Sequence, residues 1–392
     1  MQVAVLGGGY AGVGLVRELE NRLPRATEIV LVDEDGTHLI QHELHRLLRF
    51  PQLRDDLRIP LEDLVRRATV RTARVDSIDL DSPTVHLEDD SHLNPSFLAI
   101  CLGAVTADEL VPGASEFAQP LKRIEHARAI RERFRSLEDG DRTVVAGAGL
   151  SGIQVAGELA ANRDERSEEI EIVLIEQAET VAPTFPHQFR NAVTETLLEA
   201  GITLRTDCAV ARVTDAGVEF RDGGKIESSQ VIWTGGITGP EAMRRRRIPV
   251  RSDLRIGHRA FALGDVAVVT DDHGTRVPPA AQTAVRQAPV AARNLVRLCT
   301  AERDSDLVFE PRLTRYVHES PGWVVSIGDE AVANIGEEII RGAAAKAVKE
   351  SVNAGYLGSI GEIQRALHTI SETIDWPHPK FHGRHDHHES MR

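Results

Sequence analysis

Residues 2–12 read Gln-Val-Ala-Val-Leu-Gly-Gly-Gly-Tyr-Ala-Gly, and residues 143–152 read Thr-Val-Val-Ala-Gly-Ala-Gly-Leu-Ser-Gly. Each stretch is an apolar run that predicts a buried strand, followed by glycines in the pattern Gly-x-Gly-x-x-Gly and then by a helix-like segment. After each helix a second apolar run ends in an acid, which is Asp33 in the first copy and Glu176 in the second. One glycine triplet alone is weak evidence. Two complete strand–turn–helix–strand–acid units in one chain predict two Rossmann-like units, each holding a dinucleotide.

The glycines of this fingerprint have separate tasks. The first allows a tight turn, the second lets the backbone approach a pyrophosphate, and the third lets the helix pack closely against the strand. The helix N-terminus then offers N–H groups and the positive end of its dipole to the phosphates. Cofactor contacts are therefore predicted at Gly7, Gly9, Tyr10, Ala11, Gly12 and Asp33 in the first unit, and at Gly147, Gly149, Gly152 and Glu176 in the second.

The two acids are expected at the ribose of each adenosine, where a carboxylate accepts hydrogen bonds from hydroxyl groups. Glu176 would also repel a 2′-phosphate, so the second unit is expected to prefer NADH to NADPH. The alternative is that one of the two copies is a decayed unit whose glycines are only structural.

Two such units in one chain resemble the two-dinucleotide-binding flavoproteins, in which FAD lies on the first unit and NAD(P)H on the second. The resemblance extends over residues 1 to about 310. Residues 99–104, which include Gly103, resemble the strand and glycine turn that close the FAD domain. Residues 261–265 resemble the second FAD motif, in which Gly264 precedes the ribityl-binding aspartate, here Asp265. Residues 233–236, with Gly235, resemble the crossover that leads back from the NAD domain.

Within that superfamily the chain most resembles the type II NADH:quinone oxidoreductases. Residues 38–41 read His-Leu-Ile-Gln, similar to a His-Leu-Phe-Gln stretch in that family, which implies that Gln41 contacts the cofactor. Residues 278–287 look like the family's Ala-Gln…Gln segment beside the flavin. This likeness implies that Ala281 contacts FAD and that the quinone head group docks at Gln282.

Two positions near the implied quinone pocket depart from the family pattern. Gln154 stands where many relatives carry a carboxylate, and Arg286 stands where glutamine is usual. The two departures bear on the electron acceptor rather than on the flavin.

The predicted fold class is α/β, with two Rossmann-like dinucleotide-binding domains and a small C-terminal α+β region. The FAD domain is split in sequence because the NAD domain is inserted into it. The expected bounds are 1–112 and 235–310 for the two parts of the FAD domain, 113–234 for the NADH-binding domain and 311–392 for the C-terminal region. We expect a helix over 280–298, strands over 316–327 and 329–335, and mostly helix over 337–368.

The resemblance implies hydride transfer from NADH to FAD, followed by transfer of two electrons to a quinone or another small acceptor on the Gln282 side. The sequence does not identify a catalytic acid or base with certainty of position or role. Glu158, on the helix after Gly152, is the candidate, and its alternative interpretation is an acid on the helix surface. Two other functions remain open: a soluble NADH-dependent flavoprotein reductase of another acceptor, and a slow-turnover flavin redox sensor.

Composition limits the partners. The 392 residues carry a net charge of −14, which argues against nucleic acid and against broad attraction to anionic lipid. The chain has only 5 lysines among its 46 basic residues, as expected from a GC-rich genome or from a salt-adapted organism. The three cysteines are far apart, so neither a disulfide framework nor a zinc site is expected.

The expected location is the cytoplasm, because the chain starts directly with a strand and has no apolar run of about 18 residues. Peripheral contact with the cytoplasmic face of the membrane through the C-terminal region is one expectation, and a helical cap or homodimer contact is the alternative. The tail has five histidines and almost no apolar residues, so a solvated tail is expected and no metal site is assigned: His378, His382, His385, His387 and His388.

Overall fold

The computed structural model describes residues 1–164, 168–303, 309–362 and 365. Its strands, in chain order, are β1 (Gln2–Leu6), β2 (Glu28–Asp33), β3 (Thr37–Leu39), β4 (Arg58–Pro60), β5 (Thr69–Thr72), β6 (Val75–Asp79), β7 (Thr84–Leu87), β8 (His92–Leu93), β9 (Phe97–Ile100), β10 (Val105–Thr106), β11 (Gln119–Pro120), β12 (Arg142–Ala146), β13 (Glu171–Ile175), β14 (Thr203–Arg205), β15 (Val210–Thr214), β16 (Gly217–Phe220), β17 (Lys225–Glu227), β18 (Gln230–Trp233), β19 (Ile237–Thr238), β20 (Ile248–Val250), β21 (Arg255–Ile256), β22 (Ala260–Ala262), β23 (Ala267–Val269), β24 (Gly322–Ile327), β25 (Glu330–Ile335) and β26 (Glu338–Arg341).

The α-helices are α1 (Tyr10–Arg22), α2 (Leu61–Leu64), α3 (Ala114–Phe117), α4 (Ile124–Arg135), α5 (Leu150–Asp164), α6 (His187–Glu199), α7 (Ala281–Arg303) and α8 (Gly342–Ser359). Short 3-10 helices lie at Gln41–Leu48, Pro51–Arg54, Asp108–Leu110, Glu241–Met243 and Gly264–Val266.

A six-stranded sheet carries the first glycine fingerprint, in the order β21-β22-β9-β1-β2-β5. Strand β1 pairs in parallel with β2 and with β9, and its residues from Val3 to Leu6 are fully buried, as in a sheet covered on both faces. Strand β22 joins β9 in parallel although it follows the whole second unit in the chain. This sheet is therefore assembled from two separate parts of the sequence.

A five-stranded parallel sheet carries the second fingerprint, in the order β11-β18-β12-β13-β14. The short strands β10 and β19 pair antiparallel where the chain passes between the two sheets. The predicted α/β fold class with a split first domain and an inserted second domain is confirmed. Apolar side chains of both units, such as Leu31 and Ile153, belong to one continuous core.

The C-terminal region starts differently from the sequence prediction. Strands are expected over 316–327 on either side of a turn at Pro321-Gly322. Only the second forms, as β24 from Gly322, because the backbone before it is bonded to loops rather than to a sheet. Tyr316 N donates to Ser252 O at 2.7 Å, and His318 N donates to the carboxylate of Asp271 at 3.0 Å.

The helix expected over 337–368 is also wrong at its start. Residues Glu338–Arg341 form β26, which pairs with β25, and α8 follows from Gly342. Residues 363, 364 and 366–368 of the expected helix, and the histidine-rich tail, lie outside the described residues. Within the described part of the chain, no helix has the length and apolar character needed to cross a bilayer.

Candidate functional site

The glycine turns of the two units have the same geometry. Gly7 has a φ of +99° and Gly147 a φ of +101°, a backbone conformation that residues with a side chain rarely adopt. A Cβ on Gly12 would lie 1.8 Å from the carbonyl oxygen of Gly7, and a Cβ on Gly152 would lie 1.9 Å from that of Gly147. The first and third glycines of each fingerprint are therefore required by steric contact.

The middle glycines face open space. A Cβ on Gly9 or on Gly149 would meet no atom within 4 Å. Gly9 precedes helix α1 and Gly149 precedes α5, so each open space lies at a helix N-terminus whose N–H groups lack helical partners. Both turns have the shape and the donors that suit a diphosphate.

The acids that end β2 and β13 are anchored in the same way. Asp33 Oδ2 accepts a hydrogen bond from Gly8 N at 2.8 Å, and Glu176 Oε2 accepts one from Ala148 N at 2.8 Å. Each carboxylate is thereby fixed beside its glycine turn, where a ribose would lie. The recurrence of this contact favours two working sites over one working and one decayed copy.

A cleft of about 390 Å³ opens along the carboxyl ends of the six-stranded sheet, the usual ligand position in such a fold. Six of the residues predicted to bind the cofactor line this cleft: Gly7, Gly9, Tyr10, Asp33, Gln41 and Gly103. Lys122, Arg123 and Arg245 also line it, although nothing in their local sequence singled them out.

The second FAD motif lies next to the first glycine turn. Gly264 has a φ of +76°, and a Cβ there would lie 3.0 Å from Cβ of Ala11 and 3.6 Å from Cβ of Ala284. Three elements therefore meet at this glycine: the start of α1, the 3-10 turn and the start of α7. The buried side chain of Gln287 accepts a hydrogen bond from Gly264 N at 2.7 Å, a structural role that the sequence did not reveal.

Asp265 and Ala281 are placed by these contacts. Asp265 follows Gly264 in the same turn, and Ala281 is the first residue of α7. The carboxylate of Asp265 acts electrostatically on Lys122 of the cleft. Asp265, Ala281, Ala11 and Gly12 are not among the described residues that line the cleft.

The predicted residues of the second unit come together at one edge of the five-stranded sheet. A Cβ on Gly147 would lie 2.8 Å from Cα of Gly235, so the crossover segment packs directly on the glycine turn. The hydroxyl of Thr234 contacts Ala146 O at 2.9 Å and Gly147 O at 2.8 Å. Thr234 was not predicted, although it directly precedes Gly235.

Neither predicted catalytic residue lines the cleft. Gln282, the second residue of α7, is half-buried, and its amide lies 3.5 Å from Ser320 Oγ. Glu158 is 4% exposed, so its interpretation as a surface acid is wrong. Burial raises the pKa of Glu158 to about 7, although Lys349, Arg49 and Arg46 act in the opposite direction.

A buried charged cluster around Lys349 was missed by the sequence analysis. Lys349 Nζ lies 3.1 Å from Glu43 Oε1, and both side chains are less than a tenth exposed. The ammonium also donates to Ser326 Oγ at 2.9 Å and lies 3.2 Å from His45 Nε2. Although burial alone would raise the pKa of Glu43, Lys349 and its neighbours hold it well below the usual range. The cluster joins α8 to the 3-10 helix Gln41–Leu48.

Aromatic and histidine side chains connect α8 to the cleft. Tyr10 OH donates to His42 Nδ1 at 2.5 Å, and His42 Nε2 donates to Asn353 Oδ1 at 2.6 Å. His38 Nδ1 donates to Gly8 O at 2.9 Å, so its Nε2 accepts the hydroxyl of Tyr356, also at 2.9 Å. Burial lowers the pKa of His38 to about 4, which keeps the ring neutral in this arrangement.

The cysteines and histidines of the described residues form no reactive pair or metal centre. All three cysteines are free thiols, and burial raises the pKa of Cys101 well above its usual range. No group of three or more histidine, cysteine or acidic side chains in the described part of the chain could hold a metal ion.

Comparison with known proteins gives a consistent result. A family described as pyridine nucleotide-disulphide oxidoreductase matches residues 1–288. A demethylphylloquinone reductase of Synechocystis is 28% identical over 322 residues, which cover 75% of this chain and 78% of that protein. A type II NADH:quinone oxidoreductase of Staphylococcus epidermidis is 25% identical over 400 residues, which cover 93% of this chain and 97% of that protein.

The fold is also found among solved structures. The structure of NDH2 from Plasmodium falciparum in complex with NADH superposes with a TM-score of 0.78 at 14% identity, covering 95% of this chain and 98% of that one. At 14% sequence identity, the similarity between the two structures shows that they share a fold.

Proposed function

This chain belongs to the pyridine nucleotide-disulphide oxidoreductase family, and from that premise we propose that it is an FAD-dependent NADH:quinone oxidoreductase. The observation that carries the proposal is the duplicated glycine turn, with the same positive φ, the same open middle glycine and the same anchored acid in both units. When bound, FAD would accept a hydride from NADH and pass two electrons to the quinone. The similarity to a demethylphylloquinone reductase and to a type II NADH:quinone oxidoreductase supports a quinone as the acceptor.

The first unit would hold FAD. Its glycine turn provides backbone N–H groups for the diphosphate, and Asp33 is positioned for the adenosine ribose. Asp265, whose charge acts on Lys122 of the cleft, is proposed to hold the ribityl chain. The residues of this site fit the cofactor because a side chain on Gly9 would fill the space that the diphosphate needs.

The second unit would hold NADH. Glu176 is anchored beside the turn that contains Gly149, so its carboxylate is held where the adenosine ribose would bind. Its charge disfavours the additional phosphate of NADPH. This geometry holds the nucleotide in one orientation and so favours transfer between the two bound cofactors.

The quinone is proposed to dock at the start of α7. Gln282 lies there, close in sequence to Ala284, which packs against the Gly264 turn beside the cleft. Its amide makes only a 3.5 Å contact with Ser320, so it remains able to donate a stronger hydrogen bond to a quinone carbonyl.

Replacing Gln282 with tryptophan tests this assignment. The larger side chain should slow reoxidation of the reduced protein by a short-chain quinone at least about tenfold while leaving reduction by NADH nearly unchanged, because the two substrates would use different faces. Stopped-flow spectroscopy follows both half-reactions. Gln52→Trp, at an exposed position of the 3-10 helix Pro51–Arg54, is the matched control.

Either of two results would argue against a role at the quinone. A parallel loss of both half-reactions would assign Gln282 to the flavin site or to the fold. No change in either half-reaction would place the acceptor elsewhere on the molecule.

The domain bounds and surface contacts are part of the same proposal. The strands of the six-stranded sheet fall within 1–112 and 235–310, and those of the five-stranded sheet fall within 113–234, which supports the bounds expected from the sequence.

Peripheral contact with the cytoplasmic face of the membrane is proposed for the C-terminal region, where Ile335 and Val352 are 44% and 56% exposed. A homodimer contact through the same region remains the alternative.

A further inference from the structure

The cations that line the cleft differ in how they are paired. Each of the three arginines has a carboxylate partner: Arg123 with Glu34 at 2.5 Å, Arg74 with Glu241 at 2.6 Å and Arg245 with Glu109 at 2.9 Å. Lys122 is the fourth cation of the lining, and only its backbone N–H has a hydrogen-bond partner, His126 Nδ1 at 3.2 Å. Among the described residues, its ammonium makes no ion pair within 4.0 Å.

Lys122 lines the same cleft as the first glycine turn and Asp33. Its neighbour Arg123 pairs with Glu34, which directly follows the ribose-binding acid Asp33. The charge of Asp265, the ribityl-binding acid, also acts on Lys122. In FAD, the diphosphate is the group that connects the ribose to the ribityl chain. The diphosphate is therefore the part of FAD that the surroundings of Lys122 match.

This inference rests on the proposed binding of FAD to the first unit: we infer that the ammonium of Lys122 binds the diphosphate of FAD. The fingerprint at residues 7–12 contains no basic side chain, so the glycine turn provides N–H groups but no full positive charge. A lysine in the same cleft would supply that charge as a point cation. The diphosphate would then be held by the backbone of the glycine turn and by the ammonium.

The electrostatic environment of Lys122 agrees with this role. Burial lowers the pKa of Lys122 and Arg247 acts in the same direction, while Asp265 opposes them. A bound anion would restore the charged form that burial disfavours. The position also holds one of only 5 lysines in a chain whose other basic residues are arginines.

The first test is the release of FAD from the purified holoprotein, followed by flavin fluorescence after dilution. Lys122→Gln should raise the Kd for FAD about 10-fold to 100-fold, the loss expected for one hydrogen bond between charged groups. Lys122→Arg keeps the charge and should lose less. Lys225→Gln is the matched control, because Lys225 is exposed on the hairpin of the second unit and pairs with Glu227. An unchanged Kd in Lys122→Gln would overturn the inference.

The second test separates the diphosphate from the flavin ring. Binding of ADP and of adenosine is measured by calorimetry on the flavin-free full chain carrying Gly152→Ala, so that the nucleotide site of the second unit does not contribute. Lys122→Gln should weaken ADP about as much as it weakens FAD and should leave adenosine unchanged, because only ADP carries the diphosphate. Unchanged ADP binding with weakened FAD binding would place the lysine at the flavin and overturn the inference, and so would equal loss of ADP and adenosine.

Neither test uses NADH or a quinone, so a negative result for Lys122 can be told apart from a failure of the proposed function. A wild-type chain that takes up no FAD would contradict the proposed function. A wild-type chain that binds FAD with the same affinity as Lys122→Gln would contradict only the assignment of the lysine.

Discussion

Glu176 is the side chain on which nucleotide preference is expected to depend. Its carboxylate is fixed by the N–H of Ala148, so it cannot swing away from a 2′-phosphate without losing that hydrogen bond. A poorly screened repulsion of this kind is worth about 2 kcal/mol, which corresponds to a preference of roughly 30-fold for NADH over NADPH.

Glu176→Gln should reduce that preference to a few-fold, because the amide oxygen keeps the hydrogen bond to Ala148 N but carries no charge. Stopped-flow bleaching of the flavin with each nucleotide measures the ratio. If the wild-type protein reacts equally fast with both nucleotides, Glu176 does not lie at the ribose.

Glu158 gives a prediction about pH. Its folded-state pKa is about 7, whereas an exposed glutamate titrates near 4.3, so the folded protein holds this proton more tightly than the unfolded chain does. The resulting stabilisation is fully present below about pH 4.3 and is lost as the pH rises through about 7.

Glu158→Gln stays neutral and should remove this dependence. The free energy of unfolding of the variant, relative to wild type, should rise by about 2–4 kcal/mol between pH 4.5 and pH 8. Denaturant titrations at the two pH values measure it, with Glu132→Gln at an exposed position of α4 as the control. A constant difference between variant and wild type would show that Glu158 does not titrate in this range.

Among the structural elements, the two glycine turns should be separable by a matched pair of substitutions. Gly12→Ala and Gly152→Ala each place a Cβ within 2 Å of a carbonyl oxygen, the first in the proposed FAD unit and the second in the proposed NADH unit. Gly12→Ala should purify with little or no FAD. Gly152→Ala should retain FAD and lose most of its rate of reduction by NADH.

The absorbance spectrum measures the flavin content of each variant. Anaerobic mixing with NADH measures the rate at which its flavin is reduced. Gly355→Ala, in α8 with no atom within 4 Å of the added Cβ, is the control. Loss of flavin from Gly152→Ala alone, with Gly12→Ala unaffected, would reverse the assignment of the two units.

The third glycine of each turn could be predicted from sequence because its closest contact is made within a single βαβ unit. Gly12 meets Gly7, and Gly152 meets Gly147, so spacing alone carries the information. The strand over residues 316–320 was predicted wrongly because its contacts are distant. Local sequence does not reveal that the backbone of Tyr316 is bonded to Ser252 in a distant loop.

Residues whose environment depends on distant segments were also missed. Lys349 of α8 is buried against Glu43 of the 3-10 helix Gln41–Leu48, more than 300 positions earlier in the chain, and local sequence gives no sign of this pair. Glu158 becomes buried because α5 packs closely against β24. The neighbouring Gly157 touches the backbone of Ile327 so closely that a side chain at position 157 would not fit. Position in a helix predicted neither its burial nor its raised pKa.

For the molecule as a whole, the arrangement explains why a split first domain is useful. Glu241 and Arg245 come from the second part of that domain, and they line the cleft together with residues of the first part. The inserted unit contributes Lys122 and Arg123 to the lining of the same cleft. The FAD site is therefore expected to be complete only when both units are folded and in contact.

One chain is expected to take a hydride from NADH on the second unit and to deliver two electrons to a quinone from FAD on the first. The most direct measurement is an anaerobic double-mixing experiment, in which the holoprotein is reduced with one equivalent of NADH and then mixed with a short-chain quinone. We expect complete bleaching of one FAD per chain, followed by full recovery of the oxidised spectrum on mixing with the quinone. Bleaching without recovery would contradict a quinone as acceptor, and failure of NADH to bleach the flavin would contradict the account of the two units.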